Sequence, residues 1–392
     1  MSLLSINHHL RLFILFTALL LFAGPAISVP SYKTGHDDDK GVIRVKHGES
    51  IQAAIDRAKP YTRIEVEGEH RERVVIKKDG ISLIGKGAKL SPPSEPDSTK
   101  NYCYGKVKVG TDPNPDNLKN VSAGICIHGR DIKLKIPYEP AALHWRVEDV
   151  GNPVKDVSVS GFEISDFDGE NIAVYGGKDT KISRNKLKGG LRYGFLTVGS
   201  KGTEAWKNKI SGTPGTLRAG EIAMCMDDRS SAVFSENVIS SYFIGLCTET
   251  DDGFEKENNI RDCCIGIVID PTVRNAKAIN NDIAKWNPGC SPDASAGISL
   301  LGAKNALVKG NKISIGSSPP LTLGAGIFMG FEVEFGAVNE GNTITKNVFG
   351  KNPADIYVDS TGTNYIFNNT CDLPLRAPGT PAPEFCQPRG RA

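Results

Sequence analysis

The sequence predicts an all-β chain wound into a parallel solenoid, and three observations predict it. The first is an asparagine that returns in one short setting: ISRNKL at Asn185, AWKNKI at Asn208, FSENVI at Asn237, EKENNI at Asn258, AINNDI at Asn281, VKGNKI at Asn311, EGNTI at Asn342 and IFNNT at Asn369. The steps are 23, 29, 21, 23, 30, 31 and 27 residues. The second is a glycine-led apolar segment between successive asparagines, as in YGFLTVG, FIGLCT, IGIVID, AGISLL and AGIFMG. The third is the content of each unit: short runs in period-two alternation, rich in Val, Ile and Phe, punctuated by Gly, Asn and Asp. That is strand chemistry separated by turns. A unit this short cannot bury its own apolar face, but stacked units can. Asn suits the recurring turn because it tolerates the left-handed conformation and bonds backbone groups of the next coil.

Along the chain, residues 1–28 read as a secretion signal, with Arg11 ahead of the run LFILFTALLLFAG and small residues following it. Residues 29–47 form a polar leader, and the solenoid domain spans 48–372. At its start Ser50 caps a short helix whose apolar side is Ile51, Ala54, Ile55 and Ala58, and Pro60 follows its end. A solenoid needs its first coil covered, and this helix is the expected lid. Strands are expected at 63–66, 74–76 and 82–84, then at 123–127 and 132–136. Residues 91–121 break the rhythm as an irregular surface loop, and 373–392 form a proline-rich tail outside the coils.

Lys and Arg number 47 against 45 Asp and Glu, so nucleic-acid binding has no compositional support. After signal removal no segment reaches membrane-spanning length, and the expected product is a secreted extracellular monomer. Nine cysteines in an oxidising compartment predict disulfides with at least one thiol left over. Cys371 with Cys386 would pin the tail, Cys103 with Cys126 would close the early loop, and Cys225 with Cys247 fall within bridging reach on adjacent rungs. Asn120-Val-Ser and Asn368-Asn-Thr are glycosylation acceptors in a secreted chain.

The opening SIQAAIDRAKPYTRIEVEGEHRERVVIKKDGISLIGKG, with the repeated N-x-I and G-I-x-V segments, resembles right-handed parallel β-helix proteins of the pectate-lyase-like superfamily, including its NosD-like branch. The resemblance runs from about Gly41 to Cys371. It implies a right-handed parallel β-helix and polysaccharide as partner. No established active site transfers: no histidine follows His144, so the hydrolases' G-H-G is missing, and IDPTVR keeps only the proline and final arginine of the lyases' R-x-P-x-x-R.

Alternation assigns candidate chemistry. In EIAMCMDD, Ile222, Met224 and Met226 point inward and Cys225 and Asp227 outward. In FIGLCTETDD, Ile244, Leu246 and Thr248 point inward and Cys247 and Glu249 outward. In IGIVIDP, Ile267 and Ile269 point inward and Val268 and Asp270 outward. Asp227, Glu249 and Asp270 then form a column of carboxylates, one per coil, as the expected catalytic groups. Crowded carboxylates split their pKa values and supply an acid beside an ionised partner. Arg229 and Arg274 stand at the column's edge to hold an acidic sugar, and Tyr175 and Tyr193 are a candidate stacking platform. Asp228, Asp251 and Asp252 thicken the column, and such oxygens suit Ca²⁺. Glycosidic cleavage, by hydrolysis or calcium-assisted elimination, is the expected activity. The alternative is a glycan-binding or adhesive solenoid whose acids bond turn amides and pair with the arginines.

Overall fold

The computed structural model describes residues 41–94, 103–108, 118–135, 146–213, 217, 221–290, 295–316, 324–331, 336–377 and 379–387. The expected signal and most of the expected leader lie outside these residues. The remainder is built from three twelve-stranded sheets that run the length of the coil, one strand of each per turn. Pairing within them is parallel in every case but the last, where 374–376 meets 380–381 antiparallel. This is a right-handed parallel β-helix, with one α-helix at its start.

Each sheet contributes an apolar row to the interior. In the third sheet, Ile172, Phe195, Met224, Leu246, Ile267, Ile298, Ile327 and Ile356 stand in register, one per coil. In the second, Leu187, Ile210, Ile239, Ile260, Ile283, Ile313 and Phe349 do the same. All of these side chains are buried. Stacking like on like removes each apolar side chain from water without any unit having to close its own core.

The asparagines form the polar counterpart of these rows. The Nδ2 of Asn185 donates to Oδ1 of Asn208 at 3.1 Å and to the carbonyl of Val159 at 3.1 Å, and Asn208 Oδ1 also accepts the Asn185 backbone N–H at 3.0 Å. The pattern repeats through Asn237, Asn258, Asn281, Asn311, Asn347 and Asn369 at steps of 23, 29, 21, 23, 30, 36 and 22 residues. Two expectations are corrected here. Asn342 belongs to a separate short ladder with Asn364, and Asn347 takes the place in the main one. The left-handed residue is the one before the asparagine: Arg184, Lys207, Glu236, Glu257, Asn280, Lys346 and Asn368 have φ of 55–59°, with Gly310 at 69°. A non-glycine residue held there costs on the order of 1–3 kcal/mol. The asparagine amide, saturated by bonds to both neighbouring coils, supplies the compensation.

The helix Ile51–Arg57 begins at Ser50, whose Oγ accepts the Ala53 N–H at 3.1 Å, and buries Ile51, Ala54 and Ile55. Glu72 adds a second cap the sequence did not advertise, accepting the N–H of Ile51 at 2.6 Å and of Gln52 at 3.1 Å. Strands Arg63–Val66, Val74–Ile76 and Ser82–Gly85 occur as expected. The domain limits move outward at both ends. Val42–Val45, inside the expected leader, pairs with Arg63–Val66 as the first strand of the first sheet. Pro374–Arg376 and Cys386–Gln387, inside the expected tail, extend the third and second sheets. Residues 133–135 are not a coil but pair antiparallel with Arg146–Asp149, and Tyr104–Lys108 pairs with Leu118–Ser122 as a hairpin within the irregular loop. Among the described residues no helix is long and apolar enough to cross a membrane.

Cys103–Cys126 and Cys371–Cys386 are bridged, and Cys264–Cys290 forms a third disulfide absent from the sequence expectation. Cys225 and Cys247 are free and buried, as is Cys263.

The interior also holds a carboxyl group. Glu255 stands in the first sheet's inner row between Phe234 and Ala278, fully buried, and accepts the Thr248 hydroxyl at 2.8 Å. Burial pushes its pKa from the ordinary 4.5 up to about 8. The folded chain therefore holds a proton that the unfolded chain has released. That stabilisation is complete below about pH 4.5 and is lost as pH rises towards 8. Glu255→Gln, which is always neutral, is expected to flatten the fall in melting temperature between pH 5 and pH 8. Parallel curves for the two proteins would show that Glu255 is ionised in the fold.

Candidate active site on the third sheet

The strand 222–226 carries the candidate column, and pairing fixes its register. Met226 sits opposite Thr197 and Thr248, and Thr248 opposite Ile269. The next residue on each coil is Asp227, Glu249 and Asp270, whose backbone N–H groups bond the carbonyls of Thr197, Met226 and Thr248. Parallel strands lie about 4.8 Å apart, so the three stand one rung apart in a single row. Met224, Met226, Leu246 and Ile269 point inward. Ile222 and Ile244 do not: they join the cluster on the sheet's outer face, because the strand irregularity at Ala223 and Gly245 turns two successive residues to one side.

That outer face is covered, which overturns three expectations of exposure. Cys103 and Val147, reaching in from the loops, pack with Ala173, Tyr175, Tyr193, Leu196, Val198, Cys225 and Cys247 into a second apolar cluster. Tyr175 and Tyr193 are 0% exposed, so neither offers a ring to a sugar at the surface. Asp227 is also 0% exposed, and its Oδ1 accepts the Asp228 N–H at 2.6 Å. Alternation says which way a side chain points, not what lies over it.

Beneath this cover is a polar group the sequence reading missed. Arg192 lies 5.2 Å over the Tyr193 ring, and Glu170 stands in register with Tyr193 on the preceding coil. Neither oxygen of Glu170 nor the Tyr193 hydroxyl has a hydrogen-bond partner among the described residues. Burial raises the Glu170 pKa to about 7 against the pull of Arg192. Burial opposes the charge on Arg192, but Tyr193, Glu170, Tyr175 and Asp227 more than offset it. The available signal was Arg192 immediately before the outward Tyr193 in GLRYGF; Glu170 gave none, because DGEN reads as a turn.

At the edge of the cover the surface opens into a cleft of about 600 Å³. Glu249, Asp228, Asp251, Asp252, Arg229, Arg274 and Lys201 line it. Glu249 is half-buried, and Asp270, also half-buried, stands one coil on and does not line the cleft. Several acids are tied to the scaffold. Asp228 accepts the Val147 N–H at 2.7 Å, Asp251 the Arg274 N–H at 2.7 Å, and Asp252 the Asn275 amide at 3.2 Å. Asp228, Asp251 and Asp252 do not bring their ligand atoms within 4.8 Å of one another. Among the described residues the one group of ligand atoms close enough to share a metal is Cys225, Cys247 and Glu249.

Two histidines and the two glycosylation sequons complete the candidates. His128 is partly buried beside Tyr175, its ring Nδ1 against the Gly129 carbonyl, and burial lowers its pKa. His144 lies outside the described residues. Asn368 is exposed, as a glycan acceptor must be, and Asn120 lies in the strand Leu118–Ser122 opposite Lys106.

Fold and site together define a right-handed parallel β-helix with a charged cleft beside its third sheet. Among solved structures the chain is similar to the Dettilon tailspike protein, at 17% identity over 86% of this chain and 68% of that one, with a TM-score of 0.52. It is similar also to a mutant tailspike of E. coli bacteriophage HK620 in complex with pentasaccharide, at 14% identity over 86% of this chain and 60% of that one, with a TM-score of 0.50. The Yersinia enterocolitica family 28 exopolygalacturonase aligns at 12% identity over 87% of this chain and 79% of that one, with a TM-score of 0.49. No protein-family model matches the chain, and no curated protein does. At these identities the likeness is one of fold.

Proposed function

We propose that this is a secreted, monomeric, carbohydrate-active protein that cleaves an acidic polysaccharide in the cleft beside the third sheet, with bond breaking at Glu249. The observation that carries the reading is the position of Glu249. It alone joins the row of carboxylates, the open cleft and the buried group around Cys225. Asp270, one rung away and half-buried just beyond the cleft lining, is the neighbouring carboxylate in the row and the partner this reading assigns to it. A separation of about 5–5.5 Å between carboxyl groups suits a retaining hydrolase and about 6.5–9.5 Å an inverting one, and adjacent rungs favour the former. Arg229, Arg274 and Lys201 supply the cationic rim that would bind uronate carboxylates. Asp227, buried and bonded to the turn amide, holds the turn and does not meet substrate. The HK620 tailspike, which shares the fold and holds a pentasaccharide, supports sugar as the ligand class.

A second reading has a specific observation in its favour. Asp228, Asp251 and Asp252 are each engaged by loop groups, as in a solenoid whose acids shape turns and which binds glycan without cleaving it. The two divide on one experiment. The mature protein is incubated with pectic, alginate, glucuronan and neutral polysaccharides, and new reducing ends are followed, with absorbance of unsaturated products as a separate channel. Release from an acidic polymer, with an Arg274→Ala variant raising KM roughly tenfold and leaving kcat within twofold, supports cleavage in this cleft. Binding without release from any polymer moves the protein to the second reading.

A further inference from the structure

The third sheet places two thiols and a carboxylate together on its outer face. Cys225 and Cys247 are register partners on adjacent coils, free and buried. Glu249 follows Cys247 by two residues and so points to the same side, and the Cys247 Sγ donates to its Oε1 at 2.8 Å. The two sulfurs and the carboxylate oxygen all lie within 4.8 Å of one another. Metal–sulfur bonds of about 2.3 Å and metal–oxygen bonds of about 2.0 Å in a tetrahedron set ligand atoms roughly 3.5–3.8 Å apart, so small side-chain rotations bring all three to a shared ion.

We infer that Cys225, Cys247 and Glu249 form a binding site for a borderline-soft divalent cation of the zinc type. The donor set decides the class of ion: two sulfurs and one oxygen suit zinc, cobalt or cadmium, whereas calcium takes six to eight oxygens. On binding, each thiol releases its proton to solvent and forms a metal–thiolate bond, and Glu249 exchanges its bond from the Cys247 thiol for one to the metal. The dication also offsets the repulsion among Asp227, Glu249 and Asp270, stacked one rung apart with like charge. Three protein ligands leave one tetrahedral position for water or a further ligand. The inference does not rest on the cleavage reading, since metal binding is measured without any polysaccharide; with the ion bound Glu249 is a ligand and not a proton donor, so acid–base cleavage at Glu249 belongs to the metal-free protein.

The test uses the full mature chain, reduced under argon, desalted and titrated with Co²⁺. One equivalent is expected to bind with near-ultraviolet absorption from thiolate-to-cobalt charge transfer, and Zn²⁺ is expected to displace it. Cys225→Ser and Cys247→Ser, checked for folding by circular dichroism, are expected to weaken binding by more than about 100-fold. Glu249→Gln keeps the sulfur band with weaker binding. Cys263→Ser, at the remaining free thiol, leaves binding unchanged. Either an absent band in folded, reduced protein or a band that survives in both serine variants overturns the site. So does a thiol count of one in place of three on the unreduced, unfolded protein, because it shows Cys225 bridged to Cys247. Cobalt binding without polysaccharide cleavage retires the cleavage reading alone, and cleavage without cobalt binding retires the metal site alone.

Discussion

Asn237→Leu is expected to destabilise the protein by about 4 kcal/mol or more. The side chain is fully buried in mid-solenoid. Its Oδ1 accepts the Asn208 backbone N–H at 3.0 Å and the Asn208 amide at 3.1 Å, and its Nδ2 donates to the Ala205 carbonyl and the Asn258 Oδ1, each at 3.0 Å. Leucine has similar bulk but removes all four bonds from a dry interior, although the Asn208 amide keeps the Ile182 carbonyl and the Asn258 Oδ1 keeps the backbone N–H of residue 237. Each lost buried bond costs about 1–3 kcal/mol, and local relaxation recovers only part of the sum. The preceding Glu236, at φ 55°, also loses the neighbour that holds it there. Urea unfolding followed by circular dichroism measures the loss. Val238→Ala at the adjacent, half-exposed position should stay within about 0.5 kcal/mol. A loss below 1 kcal/mol for Asn237→Leu would mean that the ladder is incidental to stability.

Glu249→Gln is expected to lower polysaccharide cleavage by about 10²–10⁴-fold, the usual contribution of a positioned acid–base group. Glutamine keeps the size of the side chain and an oxygen for the Cys247 thiol, so folding should be preserved. It cannot cycle a proton. Asp227→Asn is the informative companion. Its Oδ1 can still accept the Asp228 N–H, and the buried side chain meets no substrate, so activity should fall by less than tenfold. Equal losses in the two variants would move the chemistry from the cleft wall into the covered row. Initial rates on the polymer identified by the panel decide between them.

The site was half legible for a definable reason. The row of Asp227, Glu249 and Asp270 follows from residue spacing, because a parallel rung repeats at the period of the coil. The gathering of Arg229, Arg274, Asp228, Asp251 and Asp252 at one cleft follows from their places beside that row. Tyr175 and Tyr193 were read as surface rings because alternation gives direction alone, and Cys103 and Val147 come from loops whose path no periodicity encodes. Glu170 and Arg192 escaped for the same reason: they become a pair only when the outer face is closed over them. The third disulfide, Cys264–Cys290, joins a coil to an insertion, which spacing does not relate.

By itself, then, the sequence determined the parallel β-helix, its capping helix, the recurring asparagine turn and the register of the third sheet, since each is a local pattern repeated until stacking is the one way to bury it. The tertiary structure alone decided which outward residues meet solvent, which asparagines join the main ladder, where the coil begins and ends, and which thiols stay free beside Glu249. Those outcomes depend on what a loop of irregular sequence happens to lie against, and burial is a property of both surfaces in contact.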